Sequence, residues 1–65
     1  MRFNLVVGKI DNCEVVIDKW YDSIADVYDM YESLADGLCI GYYMHIVIVR
    51  NDSANILKEI IKDGR

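Results

Sequence analysis

The stretch LCIGYYMHIVIVR, residues 38–50, decides how the rest of the chain is read. β-Branched and aromatic side chains dominate it, which marks a strand. Apolar residues fall on both of its faces: Leu38, Ile40, Tyr42, Met44, Ile46 and Ile48 on one, Cys39, Tyr43, Val47 and Val49 on the other. A strand apolar on both sides is usually central and covered twice. Extended throughout, the stretch would span about 43 Å, against a typical strand of about 5–6 residues. Either Gly41 bends it, or it overhangs and pairs with a neighbouring chain.

Downstream, Asn51, Asp52 and Ser53 offer N-caps for a helix. Ile56, Leu57, Ile60 and Ile61 then form an apolar stripe at helical spacing, with Lys58, Glu59, Lys62 and Asp63 facing out and Gly64 ending the element. Upstream, Trp20, Ile24, Val27, Tyr31 and Leu34 repeat at four-three-four-three, and Tyr21, Tyr28 and Ala35 widen the stripe. This spacing predicts a long amphipathic helix from about Lys19 to Ala35, capped by Asp18 or Asp22 and stopped at Asp36-Gly37. Before it, Phe3, Leu5 and Val7 alternate as one strand, and Val15 and Ile17 as a second. Ile10, Asp11, Asn12 and Cys13 lie between them, so the pair reads as a hairpin. A three-residue loop puts Val7, Val15 and Ile17 on one face; a two-residue loop pairs Lys9 with Glu14 but mixes the faces.

The expected order is β-β-α-β-α in one α+β domain over residues 1–65. A right-handed crossover lays the third strand beside the first. The sheet is then three-stranded and antiparallel in the order 2-1-3, with one long and one short helix.

Composition narrows the function. Apolar residues make up 54% of the 65, more than the usual share. A domain this small buries a modest fraction of its surface and usually needs a staple. Cys13 and Cys39 make no disulfide framework, and a single histidine, His45, makes no ordinary zinc set. Association with a second copy is the staple left, and Tyr43, His45, Val47 and Val49, on one face of the third strand, are its candidate interface. The first residues hold no apolar stretch of signal-peptide length, and no run reaches membrane-spanning length. Free thiols then suggest the cytoplasm.

The net charge is −4. No Lys or Arg falls between Trp20 and Val49, whereas Asp22, Asp26, Asp29, Glu32 and Asp36 do. Asp22, Asp26 and Asp29 recur at i, i+4 and i+7, on one helix face, where like charges cost a few tenths of a kcal/mol per pair. The absence of a basic footprint disfavours direct nucleic-acid binding. The acidic face suits a basic protein partner, or serves only to keep an apolar chain soluble. Tyr28, Tyr42 and Tyr43, with Asp22, Asp26, Asp29 and Glu32, are the candidate partner-binding set, since tyrosine is enriched at interfaces. Trp20 and Tyr31 are expected in the core instead.

No catalytic pairing is evident. His45 has no identifiable nucleophile and reads as a buried, hydrogen-bonded histidine. Cys39 reads as a small core residue and Cys13 as an exposed thiol with no base beside it. The scattered glycines form no phosphate loop. No cofactor or metal is implied. The expected function is therefore non-enzymatic: a small acidic module that acts as a homodimer and binds and inhibits another protein, such as one of a host. The alternative is a binder of a small ligand or nucleotide, held in an aromatic pocket between subunits. In general character, through no motif, the chain resembles the small accessory proteins of phages and mobile elements, which implies such an inhibitory role.

Overall fold

A computed structural model describes residues 1–64. Its elements are β1 (Arg2–Lys9), β2 (Val15–Tyr21), α1 (Ile24–Asp36), β3 (Tyr42–Arg50) and β4 (Ser53–Lys62). The four strands form one antiparallel sheet in the order β2-β1-β3-β4. The expectation of three strands and two helices is thus overturned: residues 53–62 form a fourth strand, and α1 is the one helix among the described residues.

The physical reason lies in two features of β4. Asn51 and Asp52 make a two-residue hairpin turn, with Asn51 at φ 49° and Ser53 Oγ donating to the Arg50 carbonyl at 3.2 Å. The short polar residues that cap helices also make such turns. A β-bulge then inserts Leu57 between Ile56, opposite Val47, and Lys58, opposite Ile46. That extra residue breaks the period-two alternation. The pair-and-pair spacing of Ile56-Leu57 and Ile60-Ile61 therefore imitates a helical stripe.

A second bulge settles the β1–β2 hairpin. Val7 pairs with Ile17 but Gly8 pairs with Val15, leaving Val16 extra. Lys9 N–H donates to the Glu14 carbonyl at 2.8 Å, and their side chains form an ion pair at 3.5 Å. The Lys9–Glu14 pairing and a shared face for Val7 and Ile17 thus coexist. Val15 lies opposite Gly8, on the other face. Cys13 closes the loop at φ 58°.

β2 runs on to Tyr21, so Trp20 and Tyr21 belong to a strand and not to the helix. Ser23 is the N-cap, its Oγ accepting from the Asp26 N–H at 3.5 Å, in place of Asp18 or Asp22. β3 starts at Tyr42 because Gly41, at φ 94°, turns the chain there. The overhang inferred from a longer strand is thereby removed.

Alternation assigns the two sheet faces. Phe3, Leu5 and Val7 of β1 and Met44, Ile46 and Ile48 of β3 are buried against Val27 and Tyr31 of α1. Ile17, Tyr21 and Ile60 extend this core from the outer strands. Among the described residues nothing covers the opposite face. The order 2-1-3 would have left β3 at an edge; β4 makes it an inner strand, and it is covered by the helix on one side only.

Ile46 is fully buried at the centre of this single core. Ile46→Ala should cost about 3 kcal/mol through lost burial and the cavity left behind. A lower urea midpoint with unchanged slope would show it.

Candidate interaction surfaces

The uncovered sheet face is built by the residues that alternate with the core. β3 presents Tyr43, His45, Val47 and Val49, which stand opposite Gly8, Val6, Asn4 and Arg2 of β1. Trp20 of β2 stands opposite Asn4, and Asp18 opposite Val6. On β4, Ile56 faces Val47, Glu59 faces His45 and Ile61 faces Tyr43. Trp20, Ile56 and Ile61 remain 47%, 58% and 58% exposed, a high value for side chains of this size. The face thus carries two largely apolar rows. Between them runs a third row, Asp18, Val6, His45 and Glu59, with its acids on the two edge strands.

Asn4 and Arg2 on this face are engaged with their neighbours. Asn4 Nδ2 donates to Asp18 Oδ1 at 2.7 Å and to the Lys19 carbonyl at 3.1 Å. The Arg2 guanidinium lies 4.6 Å from the Trp20 ring and 3.8 Å from Asp22. Tyr43 lies flat across Gly8: a Cβ there would meet its hydroxyl at 2.5 Å and its ring at 2.6 Å. The ring covers the glycine's bare backbone, as aromatics do across strands. His45 sits beside Tyr43, with ring centroids 5.6 Å apart. It is half-buried on the open face and not in the core, because its neighbours in register leave it unroofed.

The four residues expected at an oligomer interface therefore share one surface. The expected partner-binding set does not. Asp26, Asp29 and Glu32 project from the exposed side of α1, and Asp22 sits in the preceding turn beside Arg2. Tyr28 packs at the seam between helix and sheet, with Lys58 Nζ 5.4 Å from its ring. Tyr42 lines a cleft of about 150 Å³ with Val7, Ile17, Leu34, Leu38 and Cys39, on the helix side of the sheet. Tyr43 stands on the other side. Trp20, Ile56 and Ile61 were hidden from sequence reasoning because each fitted a helical stripe.

Tyr31 is in the core as expected, but its hydroxyl has no hydrogen-bond partner. Burial raises its pKa above the ordinary phenol value, with smaller contributions from the Glu59 carboxylate and Tyr28. Cys39 and Cys13 are both exposed and free, so Cys39 is not the core residue its strand-like surroundings suggested; it lies in the connection before β3.

Among the described residues no cluster of His, Cys, Asp or Glu is arranged to hold a metal ion. No helix among the described residues is long and apolar enough to cross a membrane. Comparison with family models, curated proteins and solved structures finds no match for the chain.

Two outcomes follow from these contacts. Tyr31→Phe removes a buried, unpartnered hydroxyl and should stabilise the fold by about 1 kcal/mol in urea titrations. Because folding holds the Tyr31 proton more tightly, its contribution is intact below the unfolded phenol value near 10 and declines as pH rises past it. The Phe variant should lose that part of the alkaline destabilisation. Separately, Gly8→Ala should displace the Tyr43 ring, so its cost and that of Tyr43→Ala should fail to add by about 0.5–1 kcal/mol in a double-mutant cycle.

Proposed function

We propose that the protein is a small acidic interaction module that works as a homodimer, with its helix surface turned toward a basic protein partner. The observation that carries this reading is the uncovered sheet face. A four-stranded sheet with its helix on one side leaves Trp20, Tyr43, Val47, Ile56 and Ile61 without a second layer. Large apolar side chains exposed together in two rows of one face mark a surface for association.

The helix supports the second half of the reading. α1 carries Asp26, Asp29, Glu32 and Asp36 and no basic residue. Asp36 lies in its last turn, where the helix dipole disfavours negative charge. Local stability is a poor reason for such a layout. A basic surface on another protein would neutralise it, and the contact would inhibit that protein by covering the positive charge it uses elsewhere. Such binding gains on-rate from charge and weakens as salt rises.

The small-ligand alternative has one specific observation behind it, the apolar cleft at Leu34, Leu38 and Tyr42. Its lining holds no basic residue, which argues against nucleotides and leaves at most a small apolar guest.

Sedimentation equilibrium tests the first half: the 7.5-kDa chain should run at twice its mass at micromolar concentration, and a monomer throughout overturns the dimer. For the second half, a lysine-rich peptide should bind the wild type at low salt. Neutralising Asp26, Asp29 and Glu32 to their amides should abolish that binding and leave the dimer intact.

A further inference from the structure

We infer that the two copies meet face to face, sheet on sheet, and not edge to edge. The inference rests on the homodimer reading above and names its surface. The occupant of the uncovered face is a second copy of this chain.

The edges argue against strand addition. β2 and β4 are the outer strands of the sheet, and each is bulged, at Val16 and at Leu57. Each also turns lysine toward the helix side: Lys19 opposite Leu5 on β2, Lys58 opposite Ile46 and Lys62 opposite Tyr42 on β4. Bulges and inward-pointing lysines are the devices by which sheets block edge pairing. Two of these lysines are held in place. Lys58 Nζ lies 5.1 Å from the Tyr31 ring, and Lys62 Nζ donates to the Leu38 carbonyl at 3.0 Å. Joining β4 to a second β4 in one continuous sheet would gather these cations along the new seam.

The face has the area and the charge layout that association needs. At ordinary strand spacing and rise it is about 19 Å wide and about 26 Å long. Two such faces remove about 1,000 Å² in plan, before side-chain relief is counted, which reaches the threshold of a specific contact. Asp18 and Glu59 stand on edge strands, so a centred pairing leaves both acids at the wet rim. The middle holds Val6, Val47, His45 and Asn4, and the Asn4 amide is already satisfied within its own chain.

Orientation of the helices favours the same arrangement. Packed sheets lie about 10 Å apart with helices on their far sides, so the two acidic α1 surfaces stand roughly 30 Å apart. That is several Debye lengths, about 8 Å each at physiological salt. Antiparallel edge pairing, about a two-fold axis normal to the sheet, would set both acidic helices on the same side of one sheet.

The test uses Val47, at the centre of the face and outside the core. Val47→Glu should shift sedimentation from dimer to monomer and leave the circular dichroism spectrum unchanged. If Val47→Glu fails to fold, the decision falls to Val47→Cys in a chain whose two native cysteines are serine. There a bismaleimide linker of about 10 Å should join two copies through residue 47, and should not join them through Ser33→Cys on the helix. A wild type that is dimeric while Val47→Glu also stays dimeric, or while residue 47 does not cross-link, overturns the face-to-face arrangement and leaves the homodimer standing. A wild type that stays monomeric overturns both.

Discussion

One packing contact organises this molecule: Val27 and Tyr31 of α1 against the inner faces of β1 and β3. Those two strands contribute six of the buried core side chains, and the helix closes over them. Their alternation commits every other residue to the opposite side. Tyr43, His45, Val47 and Val49 are therefore exposed by the same periodicity that buries Met44, Ile46 and Ile48. Core and open face are two consequences of one register.

That coupling explains which parts of the fold were legible. β1, the body of α1 and the pairing of β3 with β1 could be read, because each has one dominant period and a buried face. Residues 53–62 could not. Ile56, Leu57, Ile60 and Ile61 satisfy a helical period, and they also satisfy a strand carrying one bulge; spacing cannot tell these apart. The difference is made by pairing with β3, a contact far along the chain. The turn before it adds no information, because Asn, Asp and Ser serve both as caps and as turn formers. Composition pointed the other way, since isoleucine is a strand former.

Trp20 shows the same limit on the open surface. Its spacing from Ile24 and Val27 fits a helix, yet Asn4 pairs with it across the sheet. Placing it on β2 moves the largest side chain in the protein from the expected core to the uncovered face. That Tyr43, His45, Val47 and Val49 share one face was legible because it needed only the alternation of one strand. Its neighbours on β2 and β4 needed the sheet order. The partner-binding set was dispersed for a related reason: sequence proximity within α1 placed Tyr28 beside the acids, whereas the apolar stripe turns it toward the core.

The apolar excess then acquires a structural cause. One helix of thirteen residues can roof one side of a four-stranded sheet, and burying the second side requires another layer. The tyrosine over Gly8, the arginine over Trp20 and the asparagine bonded to Asp18 reduce the polar cost of covering that side, since their groups are paired before any contact forms. They also hold its side chains in place, so less freedom is lost on binding. A loose apolar patch would have neither property. The open face is in this respect ordered in advance, and the helix on the far side of the sheet carries acidic side chains and no basic one.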